Sequence, residues 1–330
     1  QAKQEEDNTM SIKIGVGYGG WPFPSDDPEH LWKYVDTCEE LDLDSIWMSD
    51  RIVSPLMNME PIVALSFAAA RTKNLKFGTS VIALPLRNPT ILAKEIATLD
   101  FLSGGRSLPA VGLGTEDATE YEACGTTRRR RVSRTEEAIE VMRLLWKEDN
   151  VTYHGQHFTL NNVTVQPKPV FPPDGMPPIW IGGRSEPALR RTARIGDGWL
   201  VSQATPDEVR DGVDKISTWA VEYDNDIEED HYGVLTSFFI DDDPEEAERI
   251  ATPHMLRRRE DIHWREFSSF GKPEVIRELI DEYIEAGAEK FVMRPACPPE
   301  LMQEQLEILG NEIVPHYHTA IEDAEVKVYA

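Results

Sequence analysis

The sequence predicts an α/β protein of the (β/α)8 type, a TIM barrel with insertions in its βα loops. Two observations lead there. Short β-branched runs alternate with longer amphipathic segments along most of the chain, and the runs number eight. Such alternation implies parallel strands joined by right-handed crossovers, each helix covering the sheet. Eight units favour a closed barrel, with a doubly wound open sheet as the structural alternative. The length of 330 residues lies within the span of a barrel with insertions.

The strand-like runs are residues 12–16, 45–48, 75–84, 108–111, 179–181, 199–201, 234–240 and 290–293. Between them, helical patterns cover 28–41, 61–71, 89–102, 134–147, 186–195, 206–222, 244–250 and 273–286. Pro28, Pro89, Pro206 and Pro273 fall where a first helical turn tolerates a missing N–H. Asp27, Asn88 and Thr205 precede three of them as N-caps, and Gly287 stops the helix before the last strand. Two connections exceed a simple loop. The one over 115–178 carries a helix, a β-hairpin around His154-Gly155-Gln156-His157 and a proline-rich return at 167–178. The other, over 241–272, carries His254, His263, Trp264 and Phe270. Insertions at these places lie over the strand ends, where barrels keep their chemistry. Residues 1–9 read as a flexible polar tail, and 10–330 as one barrel domain.

Hydrophobic residues make up 40% of the chain and charged residues 28%, so a large core is affordable and disorder is not expected. No apolar run approaches the roughly 20 residues that cross a bilayer, and no membrane partner is expected. A formal net charge of −25 repels nucleic acid and anionic lipid, which removes both as expected partners. The acidity fits either adaptation to high salt or an ordinary acidic cytosolic protein. Cys38, Cys124 and Cys297 are far apart and odd in number, which argues against a disulfide framework and for a reducing, cytoplasmic setting. His154 and His157 flank a turn without the spacing or carboxylate partners of a metal site, so no metal is expected.

Several strand ends carry chemistry. In Ile181-Gly182-Gly183-Arg184-Ser185 a strand runs through glycines into a helix that starts at Ser185 or Glu186. Free N–H groups and the helix dipole make such a junction a phosphate site, to which Arg184 adds a charge-assisted contact. A glycine turn with a surface arginine is the alternative. After the second strand, Asp50 and Arg51 set an acid beside a base. Arg51 points either to an anionic group of substrate or cofactor or to an internal carboxylate. After the fourth strand, Gly114-Thr115-Glu116-Asp117 places two carboxylates behind a glycine turn. A carboxyl desolvated against a ring has its pKa raised enough to act as an acid; at a helix start it simply favours the dipole. Trp21 and Phe23, just past the first strand, suit a ligand wall, and His263 with Trp264 form a second candidate wall.

Longer fragments make a pattern. Residues 78–100 read GTSVIALPLRNPTILAKEIATLD, followed by LSGGR at 102–106 and VGLG at 111–114. DSIW at 44–47, IWIGG at 179–183 and ARIGDGW at 193–199 flank them. In number, order and spacing these fragments resemble the luciferase-like monooxygenase superfamily, and the strand at 78–81 resembles its coenzyme F420-dependent branch. The resemblance implies hydride transfer between a bound deazaflavin, F420, and a small organic substrate. FMN with molecular oxygen is the alternative, and a flavin-binding barrel without turnover is another. The cofactor phosphate is implied at Gly182, Gly183, Arg184 and Ser185. The ring wall is implied at Ser80, Val81, Ile82 and Ala83, with Gly114 and Thr115 beside it. A bulge with a non-prolyl cis peptide is implied at Ser80–Val81 or one residue later, against a regular buried strand. Glu116 is the nearest match to a proton donor of one branch, and Asp50 to a working acid. Relatives place histidine where Arg51 stands, so a histidine-based mechanism does not carry over. A homodimer is implied as well.

Overall fold

The computed structural model describes residues 12–255 and 259–317. The first half of the chain forms β1 (Lys13–Tyr18), α1 (Glu29–Glu40), β2 (Ser45–Met48), α2 (Pro61–Arg71), β3 (Lys76–Thr79), β4 (Ile82–Ala83), α3 (Pro89–Ser103), β5 (Ser107–Leu108) and β6 (Ala110–Gly112). Next come α4 (Ala118–Ala123), α5 (Arg131–Lys147), β7 (Val151–His154), β8 (Thr159–Val163), β9 (Trp180–Gly182), α6 (Glu186–Ile195), β10 (Gly198–Ser202) and α7 (Pro206–Glu222). The chain continues with β11 (Tyr232–Ile240), α8 (Pro244–Ala251), β12 (Ser268–Gly271), α9 (Pro273–Glu285), β13 (Lys290–Pro295), α10 (Met302–Ile308) and α11 (Val314–Tyr317).

Eight parallel staves close a barrel. β1 pairs with β2, β2 with β3, β9 with β10, β10 with β11, β11 with β13, and β13 with β1. Two staves are each broken in two. β3 and β4 form one, divided at Ser80–Val81, a cis peptide without proline. β5 and β6 form the next, divided at Pro109, which has no N–H for the ladder. Because β3 pairs with β5, β4 with β6 and β6 with β9, the circle closes through the broken pair. The closed barrel, not the open sheet, is therefore the fold. The continuous strand expected over 75–84 stops at Thr79, and its end becomes a 3-10 turn at Leu84–Leu86 around Pro85.

Helix starts follow local chemistry. Asn88 accepts from the Thr90 and Ile91 N–H groups, and Thr205 forms a capping box with Glu208. The predicted hairpin is β7–β8, antiparallel and outside the barrel. A helix start just after Asp117 agrees with α4, whose bounds the sequence does not give, and the sequence reading misses β12 and the C-terminal helix. That last helix, α10 continued through a π turn to α11, packs on α1 and buries Leu306, Leu309 and Ile313. The tail at 1–9 lies outside the described residues.

Strand side chains alternate between two cores. Ile14, Val16, Phe291 and Met293 face outward beneath the helices. Trp47, Leu108, Ala110, Trp180, Leu200 and Val292 fill the lumen. At the lumen's lower end, where the strands begin, buried Lys290 is ion-paired with buried Asp44, which also holds Lys76 at 3.1 Å. Charge is thus neutralised inside the plug, and the open end lies at the strands' C-termini. Among the described residues no helix is long and apolar enough to cross a membrane.

Candidate active site

The barrel mouth is floored by small residues. Two positions beyond the lumen-filling side chains come Ser49, Gly112, Gly182, Ser202 and Ser237, on the same face by strand alternation. Over this floor the break in the third stave turns the Val81 side chain. A Cβ on Gly112 would lie 2.6 Å from Val81 Cγ2, and one on Gly182 would lie 2.9 Å from Cγ1. Glycine at both positions is what lets Val81 reach across two neighbouring staves. The Ser80 carbonyl accepts from Ser49 Oγ at 3.2 Å, while Ser80 Oγ is buried with no partner. Such an unused hydroxyl fits the polar edge of a bound ligand.

Behind this shelf stands Asp50. Its Oδ2 accepts from the Ala83 N–H at 3.0 Å and from Arg87 Nε at 3.1 Å, and its Oδ1 accepts from Arg87 Nη2 at 2.8 Å. The carboxylate is buried, and Arg87 reaches on to Glu60 at 2.9 Å. Burial works against the Arg87 charge, but Asp50 and Glu60 outweigh it and raise its pKa. Asp50 is therefore tied into the scaffold of Ala83 and the bulge. Arg51 sits on the following loop, half-buried, with Nε donating to the Val53 carbonyl at 3.3 Å. No Asp50–Arg51 pairing forms.

Glu116 is not desolvated. Its side chain is 71% exposed and ion-paired with Arg131 at 2.5 Å and with Arg128. The hydrogen bond from Arg131 holds its carboxyl below the ordinary range, with the Arg131 and Arg128 charges adding to this. The buried carboxylate of this loop is Glu120 instead. It accepts from the Ile52 and Val53 N–H groups at 2.9 and 3.2 Å and from Thr115 Oγ1 at 3.2 Å. Glu120 thereby fixes the Arg51 loop to the Gly114–Thr115 turn. No sequence signal marks it, since a glutamate on a six-residue helix reads as surface.

At β9 the backbone of Gly183 has φ +119°, which favours glycine, and its carbonyl accepts from Trp199 Nε1 at 2.7 Å. Ser185 caps α6 without a side-chain capping bond, so its hydroxyl points to no backbone N–H. Gly183, Arg184 and Ser185 are exposed at this helix start. The second excursion leans over the same rim. Arg259, its side chain 3% exposed, donates to the Gln203 carbonyl at 3.0 Å and pairs with Glu208 and Asp261. The hydrogen bond from Arg259 holds the Asp261 carboxyl low, and the Arg184 charge adds a smaller contribution.

The two aromatic walls differ. Trp21 is half-buried, its backbone N–H donating to the Met57 carbonyl at 2.8 Å, its indole N–H to the Ser25 carbonyl at 2.7 Å, and its ring edge-on to Phe23 at 5.0 Å. Phe23 is buried among Tyr18 and Tyr34, so it supports Trp21 from the outer core. The Trp264 ring lies between His263 at 4.8 Å and Phe270 at 4.9 Å, tilted to both, and His263 is exposed.

The family model for luciferase-like monooxygenases matches residues 9–261 of this chain. The chain belongs to that family. As a luciferase-like protein, it is an enzyme of the oxidoreductase and monooxygenase kind. One relative, the F420-dependent glucose-6-phosphate dehydrogenase of Kineococcus radiotolerans, is 31% identical over 238 residues, covering 67% of this chain and 66% of that protein. The coenzyme F420-dependent tetrahydromethanopterin reductase of Methanopyrus kandleri superposes with TM-score 0.74 at 21% identity, over 93% of this chain and 99% of its own. The FMN-bound oxygenating constituent of 3,6-diketocamphane monooxygenase from Pseudomonas putida gives 0.76 at 17%, over 93% and 98%. These two likenesses show the luciferase-like barrel.

Proposed function

We propose that the enzyme transfers a hydride between bound F420 and a small organic substrate at the barrel mouth. The observation that carries this reading is the Val81 shelf, which lies over Gly112 and Gly182 beside the exposed start of α6. A planar ring has a flat apolar wall there, and its phosphate has a glycine turn with a helix dipole next to it. The unpartnered Ser80 hydroxyl fits the same ligand. When bound, the cofactor supplies the hydride chemistry, and the protein supplies position and electrostatics. Gly182, Gly183, Arg184 and Ser185 take the phosphate. Val81, Ile82 and Ala83 back the ring, held from behind by Asp50 and Arg87. Gly114 and Thr115 border it through the turn that Glu120 fixes. Trp21 and the Arg51 loop wall the substrate side. We assign no proton transfer to Glu116, whose ionised carboxyl faces Arg128 and Arg131.

The F420-dependent relatives favour this cofactor. FMN with molecular oxygen is the second reading, because the FMN-bound camphane monooxygenase constituent shares the fold. Fluorescence titration of the purified chain with each cofactor separates them. Tight FMN binding with no F420 binding would overturn the proposal. We also place the enzyme in the cytoplasm, where three free cysteines stay reduced.

A further inference from the structure

At the end of the barrel away from the mouth, the turn that leads into β11 gathers ligand-type atoms. Glu228, Asp230 and His231 each bring one carboxylate oxygen or ring nitrogen within 4.8 Å of the others. A 3-10 turn at Glu229–His231 makes this possible. Side chains three positions apart eclipse in such a turn, which brings Glu228 and His231 to one side. Asp230 Oδ1 stands 3.8 Å from His231 Nε2. A tetrahedral ion with bonds of about 2.0–2.1 Å needs ligand atoms roughly 3.3 Å apart, so a shift of about half an ångström would close this pair on a metal.

The imidazole is oriented for the task. His231 Nδ1 lies 2.6 Å from the Asp197 carbonyl oxygen. A carbonyl only accepts, so Nδ1 carries the proton and Nε2 of the neutral ring keeps its lone pair. This is the outer-shell arrangement that fixes the tautomer of metal-binding histidines. Asp197 is itself anchored, its carboxylate accepting from the Ile179 N–H at 2.8 Å and from Arg143 at 2.6 Å. The Trp180 ring lies against the imidazole at 5.2 Å. Glu289 supplies an independent sign of a missing cation. It is 8% exposed, and among the described residues its carboxylate makes no hydrogen bond or ion pair. Its backbone N–H donates to the Tyr232 carbonyl at 3.0 Å, which sets it beside the start of β11. Burial raises its carboxyl, the Asp230 and Glu229 charges raise it further, and Lys13 works the other way.

We propose that Glu228, Asp230 and His231 form a structural site for a divalent transition-metal ion of the zinc kind, with water in the fourth position. One imidazole nitrogen and two carboxylate oxygens suit such an ion, whereas calcium and magnesium take six or more oxygen ligands. The ion offsets the negative charge that Glu228, Asp230 and Glu289 place together. Through His231 and Asp197 it also ties the turn before β11 to the starts of β9 and β10. This departs from the expectation of no metal, which rested on His154 and His157. The site lies at the opposite end from the proposed cofactor and does not depend on it.

Calorimetric titration of the full chain, freed of metal with EDTA, tests the site with zinc chloride, and with calcium and magnesium chloride for comparison. Zinc binds at one site per chain and raises the urea midpoint, since an ion held only by the folded chain stabilises it. Loss of an outer-shell partner costs a metal site about 10–100-fold in affinity, so His231→Gln, which removes a ligand, weakens zinc binding by at least about tenfold. Glu228→Gln weakens it too, and His154→Gln, on the exposed hairpin, leaves it unchanged. Circular dichroism confirms that each variant is folded, and Glu228→Gln, an exposed position, decides the matter if the His231 variant is not. No saturable zinc binding overturns the proposal. So does zinc binding that His231→Gln and Glu228→Gln leave intact, because the ion then sits elsewhere, and so does calcium or magnesium bound at these residues in preference to zinc.

Discussion

Asp50 shows how a residue type and its neighbours differ in what they reveal. An acid next to a base at a strand end reads as chemistry, yet the structure ties both Asp50 oxygens to Arg87 and one to the Ala83 N–H. Removing one partner of a buried pair leaves the other charge stranded. Asp50→Ala is therefore expected to cost about 3 kcal/mol or more in urea unfolding. Asp50→Asn, which keeps an acceptor for Ala83, is expected to cost less. Equal losses for the two would show that the backbone bond contributes little. Glu116 and Glu120 make the complementary case. Four positions apart, they look alike in the sequence, but one is a surface ion-pair partner and the other is 1% exposed with three donors around it. Only packing distinguishes them.

At the scale of elements, the third stave decides the site. Its apolar run predicts a strand, and the resemblance places an irregularity at Ser80–Val81 or one residue later; the structure has its break at Ser80–Val81. What the run by itself does not show is where Val81 points. That depends on glycine at Gly112 and Gly182, on two other staves far away in sequence. Gly112→Ala is expected to displace the Val81 methyls and weaken cofactor binding by about tenfold, a fraction of the overpacking cost of roughly 1–3 kcal/mol. Fluorescence titration reads this, and unchanged affinity would remove the shelf. By contrast, two helix starts were legible residue by residue, whereas α1 begins one residue later than Pro28 and α5 three residues before Arg134. Asn88 and Thr205 cap as their chemistry predicts, because capping is a local bond.

For the whole molecule, the buried charges at the lower end set the acid limit. Burial alone would raise the Asp44 carboxyl, but Lys290 and Lys76 outweigh it and hold it well below the usual range. A carboxyl depressed in the folded state adds stability that is present above its unfolded pKa of about 3.9 and lost as pH falls below that value. Urea midpoints should thus decline below about pH 4, and Asp44→Asn should flatten the decline while lowering stability at neutral pH. An unaltered pH slope in that variant would show that other carboxylates govern it. The surface also carries exposed Val63 and Phe67 on α2 and Ile91 and Leu102 on α3, two helices that pack together. We propose that a second copy covers this face as a homodimer. Sedimentation velocity checks it: Phe67→Glu is expected to yield monomer, and a wild-type monomer would dismiss the idea.

The sequence by itself determined the alternation of eight strands with helices and favoured the closed barrel, because periodicity and capping act over a few residues, while strand pairing decided closure. Its fragments also pointed, through their likeness to a family, to the glycine turn at Gly182–Ser185 and to an irregularity in the third stave. Tertiary structure alone decided which side chains meet at the mouth. Glu120, Arg259 and the direction of Val81 were hidden in the sequence, because each depends on contacts between residues tens of positions apart. A barrel spreads its active site over many strand ends, so spacing along the chain carries the scaffold, and only closure brings the site together.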